Sequence, residues 1–156
     1  MPVRITCSVN GRSRRLEVEP QELLIDVLRD RLELTGTKRS CDVQVCGACT
    51  VLLDGQAISS CTTLAVEADG REVTTVEGFD RDGQLSVVQE AFVAANALQC
   101  GFCTPGFITS CHALLEESPD AGDEEITHYL SGNICRCTGY TAILAAVRDA
   151  LERAHG

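Results

Sequence analysis

The stretch that decides the fold is "CDVQVCGACTVLLDGQAISSC", residues 41–61. Cys41, Cys46 and Cys49 fall close together in it, and a fourth cysteine, Cys61, closes it. Between the third and fourth cysteines, an Asp-Gly pair divides a run of apolar residues into two short segments. Asp-Gly is a typical two-residue hairpin turn. The sequence therefore predicts a cysteine-rich loop that leads directly into a β-hairpin.

The spacing of these four cysteines indicates an iron–sulfur site. C-x4-C-x2-C followed by a distant cysteine is the plant-type [2Fe–2S] pattern. Three thiolates on one irregular loop can surround a small inorganic core, and the small residues Gly47 and Ala48 allow backbone N–H groups to approach the sulfurs. The alternative is a structural Zn²⁺, but zinc sites usually pair two short cysteine knuckles, and this stretch has one. We favour a [2Fe–2S] cluster here, with zinc as the alternative.

The elements on either side of this stretch complete a small α+β domain. Residues 3–18 alternate between apolar and polar around an Asn-Gly pair, which predicts a first β-hairpin. Residues 20–34 place apolar side chains at helical spacing and predict a helix. Residues 71–79 predict a last short strand. We expect this domain to span residues 1–77.

The rest of the chain has helical periodicity. We expect residues 78–84 to form a linker and residues 85–156 to form a four-helix bundle, because short loops join the helices. Thr104 and Thr138 are predicted N-caps, and Pro105 is the predicted first helical residue. The predicted helices span residues 85–98, 104–118, 123–133 and 138–154.

A second group of cysteines lies just before two of these helices. Cys100 and Cys103 precede one helix, and Cys135 and Cys137 precede another. Helix N-termini present free N–H donors and partial positive charge, which favour thiolates and an anionic cluster. The C-x-C spacing does not suit a helix interior, so we expect the backbone to bend at Arg136 and aim both sulfurs at one iron. A second [2Fe–2S] cluster is favoured, with zinc or a disulfide pair as alternatives.

The remaining two cysteines have a simpler interpretation. Cys7 lies on the apolar face of the first strand, and Cys111 lies on the apolar face of a helix. Free cysteine is among the most buried residue types, so we expect both in the core.

The charge and hydropathy pattern excludes several classes of function. The net charge of −10 disfavours binding to nucleic acid or to an anionic membrane surface. No run of about 18 apolar residues is present, so we expect no membrane span. The first residues do not resemble a secretory signal, so the ten cysteines are expected in the reducing cytoplasm, where thiols more often bind metals.

Taken together, the motifs resemble a known family. "LTGTKRSCDVQVCGACTVLLDG" (34–55), "LQCGFCTPGFI" (98–108) and "SGNICRCTGY" (131–140) resemble the iron–sulfur subunits of molybdenum hydroxylases, the family of xanthine dehydrogenase, aldehyde oxidase and carbon monoxide dehydrogenase. The resemblance covers nearly the whole chain. It implies a ferredoxin-like β-grasp domain followed by a four-helix bundle, each with one [2Fe–2S] cluster.

The resemblance also implies partners and roles. It implies a large subunit with a molybdenum–pterin cofactor and a medium subunit with FAD, assembled as a dimer of heterotrimers. The second cysteine group would lie nearest molybdenum, with Gln99 and Cys137 in contact with the pterin, and the first group would face the flavin. This chain would carry electrons and contribute no catalytic residue. A free-standing two-cluster ferredoxin is the alternative.

Two residues depart from the family pattern, which usually reads G-C-x-x-G-x-C in the first loop. Here Ser40 replaces the first glycine and Gln44 the second. If position 44 requires a positive φ, a residue other than glycine costs roughly 1 kcal/mol there. We still expect the cluster, since all four cysteines are in place.

Overall fold

A five-stranded mixed sheet lies in the N-terminal half of the computed structural model, which describes residues 1–155. The strand order is β2-β1-β5-β3-β4, and β1 and β5 are parallel while the other pairs are antiparallel. The strands are β1 (Val3–Val9), β2 (Arg12–Val18), β3 (Thr50–Leu53), β4 (Gln56–Ser59) and β5 (Glu72–Thr74).

Both predicted hairpins are confirmed. Asn10 and Gly11 have φ of 50° and 73°, and Asp54 and Gly55 have φ of 50° and 83°. Two consecutive residues with positive φ match a type I′ turn, whose twist suits antiparallel strands. The second hairpin therefore continues directly from the cysteine loop, and its end brings Cys61 back towards that loop.

The helix predicted over residues 20–34 is shorter and partly of another type. A single α-helical turn, α1 (Leu24–Asp26), continues as a π-helix over Val27–Arg31. The segment before it stays extended because Leu23 forms a β-bridge with Leu64, and the Glu22 carbonyl accepts a hydrogen bond from the Ala65 N–H. Tertiary pairing therefore overrides the helical pattern at this end.

Four helices follow in the C-terminal half. They are α2 (Val87–Ala94), α3 (Thr104–Glu117), α4 (Asp123–Tyr129) and α5 (Tyr140–His155). A 3₁₀ turn, Leu130–Gly132, extends α4. Ser86 caps α2 by accepting from the Gln89 N–H (3.3 Å), while the Gln89 side chain accepts from the Ser86 N–H (2.8 Å).

Both predicted threonine caps are wrong. The N-cap of α3 is Cys103, so Thr104 is already helical and Pro105 is the second helical residue. The last helix begins at Tyr140, and Thr138 has φ of 58°. The backbone of Thr138 turns back instead, and its N–H donates to the Cys135 carbonyl (3.1 Å). Thr104 therefore lies inside α3, and Thr138 lies two residues before α5.

The two halves have separate apolar cores. Cys7 packs with Leu28, Val51 and Val73 between α1 and the sheet, and Cys111 packs in the core of the four helices. The expectation that Cys7 and Cys111 are buried is confirmed, at 5% and 0% exposure. The fold is therefore α+β. Across residues 1–155, no helix has the length and apolar character needed to cross a membrane.

Candidate iron–sulfur sites

The first cysteine loop is shaped by residues in the left-handed region. Asp42, Gln44 and Gly47 have φ of 57°, 59° and 70°. These turns direct backbone N–H groups inwards, and the Val45 N–H donates to the Cys41 sulfur (3.4 Å). Hydrogen bonds from the backbone of Val43, Val45 and Cys46 lower the pKa of the Cys41 thiol to about 6. The loop therefore favours the thiolate, which is the form that binds iron.

The four cysteines of this group meet in pairs. The thiol of Cys41 contacts that of Cys46, and the thiol of Cys49 contacts that of Cys61. Burial raises the pKa of Cys49 to about 11, so this thiol would ionise only with a cation beside it. Ser60 holds the second pair together, because its hydroxyl donates to the Cys49 carbonyl (2.7 Å).

The second group also meets in pairs, but across two segments. The thiol of Cys100 contacts that of Cys137, and the thiol of Cys103 contacts that of Cys135. The expected bend at Arg136 is present, because Arg136 and Cys137 lie in a turn closed by the hydrogen bond from the Thr138 N–H to the Cys135 carbonyl (3.1 Å). The sulfurs of Cys135 and Cys137 have different partners, which favours two different irons of one cluster over a shared iron. The turn at Arg136 and Cys137 leaves Cys135 buried and Cys137 partly exposed.

Backbone donors surround this group as well. The Gly139 N–H donates to the Cys135 sulfur (3.3 Å), and the Phe102 N–H donates to the Cys100 sulfur (3.5 Å). The Phe102 hydrogen bond lowers the pKa of Cys100, whereas burial raises the pKa of Cys103 to about 12. As in the first group, the more exposed thiol has a lowered pKa and the less exposed thiol has a raised pKa.

The residue expected at the pterin, Gln99, is exposed on the same side as the second group. A methyl group on Gly139 would lie 3.6 Å from the Gln99 amide nitrogen and 3.7 Å from the Cys135 sulfur. The Gln99 side chain thus lies beside the second cysteine group, where a partner molecule could reach it.

The two groups face each other, which the sequence pattern did not reveal. The Ile134 N–H donates to the Cys46 carbonyl (2.9 Å). A cleft of about 270 Å³ lies between the groups, and its lining includes cysteines of both: Ser40, Cys46, Ala48, Cys100, Phe102, Cys103, Ile134, Cys135 and Arg136. The glycines at 47 and 106 were a signal in the sequence for this close approach, because each lacks a side chain where the two halves meet.

The pairing of the thiols suits a binuclear cluster. A [2Fe–2S] cluster held by four cysteines takes two thiolates at each iron, and both groups provide two pairs. The residues present therefore fit this cofactor.

Comparison with known proteins identifies the family. A family model described as "2Fe-2S iron-sulfur cluster binding domain" matches residues 7–76, and one described as "[2Fe-2S] binding domain" matches residues 75–148. The chain is 53% identical over 148 residues to the nicotine 6-hydroxylase small subunit of Paenarthrobacter nicotinovorans, covering 95% of this chain and 89% of that subunit. The chain belongs to the iron–sulfur small subunits of the molybdenum hydroxylases.

Further members of the family support this assignment. The nicotinate dehydrogenase small FeS subunit of Eubacterium barkeri is 47% identical over 97% of this chain and 96% of its own. In the crystal structure of quinoline 2-oxidoreductase from Pseudomonas putida 86, one chain superposes with a TM-score of 0.93 at 43% identity, covering 99% of this chain and 96% of that one. The iron–sulfur small subunit described here is thus an electron-transfer subunit of an oxidoreductase complex, and both matched domains are [2Fe–2S]-binding rather than zinc-binding.

Proposed function

We propose that this subunit conducts electrons from a molybdenum–pterin centre in a large partner subunit towards FAD in a medium partner subunit. The observation that carries the proposal is the hydrogen bond from the Ile134 N–H to the Cys46 carbonyl (2.9 Å). It links the backbone beside Cys135, in one site, to the backbone of Cys46, in the other. A carrier that uses both sites in series requires them to lie close together, and this contact supports such proximity.

Eight cysteines are proposed as the ligands. The two irons of the first cluster would be held by two pairs, Cys41 with Cys46 and Cys49 with Cys61. The two irons of the second cluster would be held by Cys100 with Cys137 and by Cys103 with Cys135. When bound, each [2Fe–2S] cluster takes up and releases a single electron. The thiol contacts within each pair and the backbone donors to Cys41, Cys100 and Cys135 support this assignment.

The exposed residues beside each site support the proposed points at which electrons enter and leave the subunit. Gln99 and Cys137 are proposed to contact the pterin, and both are accessible on the side of the second site. On the first loop, Val43 and Val45 are 64% and 57% exposed. Exposed apolar side chains of this kind fit a subunit interface, and we assign them to the FAD subunit.

We propose that the domain limits expected from the sequence apply: residues 1–77 form the ferredoxin-like β-grasp domain, 78–84 the linker and 85–156 a four-helix bundle. The two family matches, which meet at residues 75–76, and the separate apolar cores support this division. We further propose a dimer of heterotrimers in the cytoplasm, where a reducing environment keeps ligand thiols free of disulfides.

Metal analysis and co-purification test the proposal. The isolated chain should contain about four iron atoms and about four acid-labile sulfides, and two [2Fe–2S] EPR signals after reduction. Gentle purification should recover a large molybdenum subunit and an FAD subunit with it. A chain that holds both clusters but never associates with such subunits would instead be the free-standing carrier. A chain that holds zinc alone would contradict both.

A further inference from the structure

A buried asparagine lies between the two cysteine groups. Asn133 is 7% exposed, and its side chain reaches across the boundary between the two halves. Its Nδ2 donates to the Gly47 carbonyl (3.3 Å), and its Oδ1 accepts from the Ser110 hydroxyl (3.0 Å). Because a carbonyl can only accept, the Gly47 contact fixes which way the amide points. The side chain therefore has one orientation and joins three segments.

Each of these segments carries proposed ligands. Gly47 lies between Cys46 and Cys49, and Asn133 is two residues before Cys135. Ser110 is on α3, whose N-cap is Cys103. A shift of the Asn133 side chain would therefore move ligands of one site relative to ligands of the other.

The backbone packs closely around Asn133. A methyl group on Gly47 would lie 2.5 Å from the Asn133 Nδ2 and 2.6 Å from the Gly132 carbonyl oxygen. A methyl group on Gly106 would overlap the Gly47 carbonyl oxygen. Both glycines thus permit a backbone approach that a larger residue would push apart.

The hydrogen bonds of Asn133 contribute to stability, because truncating its side chain leaves the buried Ser110 hydroxyl without this partner. The Gly47 carbonyl would keep its hydrogen bonds from the Thr50 N–H and hydroxyl. What a hydrogen bond adds is direction, since it holds two segments in one register whereas apolar packing tolerates sliding. We propose that Asn133 is a positioning residue that sets the separation of the two [2Fe–2S] clusters. This inference rests on the proposed function, because it requires both clusters.

Magnetic coupling between the reduced clusters measures this separation. The full chain, isolated with its iron and sulfide, is reduced completely, and the dipolar splitting of its low-temperature EPR spectrum is recorded. Dipolar coupling falls with the cube of the distance between two spins. Asn133→Ala and Gly106→Ala should each narrow the splitting and leave the amount of each cluster unchanged. Asn133→Ala removes the two side-chain hydrogen bonds of Asn133 and leaves the backbone hydrogen bond from Ile134 to Cys46. Gly106→Ala forces α3 away from the loop.

A matched control separates positioning from general destabilisation. Thr75 is buried, accepts from the Asn10 amide (2.9 Å) and donates to the Glu77 carboxylate (2.5 Å), away from both cysteine groups. Thr75→Val should lower stability and leave the splitting as in the wild type. Equal narrowing in Thr75→Val would overturn the inference, because loosening anywhere would then suffice.

Two further outcomes are decisive. An unchanged splitting in both Asn133→Ala and Gly106→Ala, with both clusters present, would overturn the role of Asn133 and leave the proposed function intact. A wild-type chain without two clusters would overturn the proposed function itself. If Asn133→Ala does not fold, Ser110→Ala replaces it, since that variant removes one hydrogen bond and keeps the contact with Gly47. Ser110→Ala should then narrow the splitting by a smaller amount.

Discussion

The two cysteine groups reach the same local arrangement by different means. Three thiols of the first group come from one loop, Cys41 to Cys49, whose left-handed residues direct N–H groups inwards. The second group joins Cys100 and Cys103 to Cys135 and Cys137, from segments that only the packing of the helices brings together. The first site is thus encoded locally, and the second depends on tertiary structure. Each prediction below tests that difference.

The largest effect should come from removing a proposed ligand. Cys137→Ser should abolish or strongly perturb one of the two [2Fe–2S] EPR signals and leave the other unchanged, because the two groups of thiols are separate. Cys111→Ser is the matched control: this cysteine is 0% exposed and lies in the helical core, so both signals should persist. Loss of both signals from a folded Cys137→Ser protein would show that the two sites are not independent.

The next effect concerns the support of the second site. Phe107 is 1% exposed, and its ring packs edge-on against Tyr140, with centroids 6.3 Å apart. The Tyr140 hydroxyl in turn accepts from the Cys135 N–H (2.8 Å). Phe107→Ala should cost about 3–5 kcal/mol and reduce the occupancy of the second cluster, measured by EPR spin quantification.

A matched core variant in the other half completes this test. Leu28→Ala, at a site that is 0% exposed beneath the sheet, should cost about 2–5 kcal/mol. We expect it to leave the second cluster at full occupancy and to reduce the first only slightly, because that loop is held by its own backbone. If Leu28→Ala empties the first site as fully as Phe107→Ala empties the second, the first site is not locally encoded.

The same difference explains what the sequence could predict. The spacing of cysteines and the turn preference of Asn-Gly and Asp-Gly pairs act over a few residues. The sequence alone therefore indicated both groups of four cysteines and both hairpins. The pairing of Cys103 with Cys135 depends on how two helix starts meet, and Asn133 reaches Gly47 only across the boundary between the halves. The role of the eight cysteines as cluster ligands stays a prediction from the sequence and the family.

The errors have a physical pattern too. Thr104 and Thr138 suit an N-cap by residue type, but the turns beside the cysteines place Cys103 and the residues before Tyr140 at the helix starts. Residues 20–34 have helical periodicity, yet the β-bridge between Leu23 and Leu64 holds the first of them extended. At the two threonines a local turn displaces the expected cap, and at Leu23 a long-range contact overrides the local helical preference.

A smaller effect should appear as a pH dependence of the helical half. His112 on α3 stacks on Phe79 (ring centroids 3.7 Å apart), and its Nε2 lies 3.0 Å from the Ser86 hydroxyl. Burial lowers the pKa of His112 to about 4. Since the unfolded value is about 6.5, the neutral folded form keeps its full stability above that pH and loses it as the pH falls towards 4.

The measurement compares unfolding free energies at two pH values. Protonation of His112 should lower the free energy of unfolding by about 2 kcal/mol between pH 7 and pH 5. Urea unfolding followed by the helical circular dichroism signal measures this difference. His112→Gln should flatten this dependence. His128→Gln is the control, because His128 is exposed on α4 and should leave the dependence unchanged. A pH dependence that survives in His112→Gln would assign it to other groups.

The smallest effect should come from Gln44, where the first loop departs from the family's glycine. Its φ of 59° meets the condition stated from the sequence, so relieving this strain in Gln44→Gly should contribute roughly 1 kcal/mol. Two opposing effects reduce the gain. Glycine raises the entropy of the unfolded chain, and the contact between the Thr62 hydroxyl and the Gln44 side-chain oxygen (3.3 Å) is lost. We therefore expect a stabilisation below about 1 kcal/mol, read from the thermal unfolding midpoint.

The same variant should also change the reduction potential of the first cluster. A redox titration followed by EPR should show a shift of that potential and no shift for the second cluster. A shift of both reduction potentials would contradict the local effect, because a change in the first loop would then reach the second site.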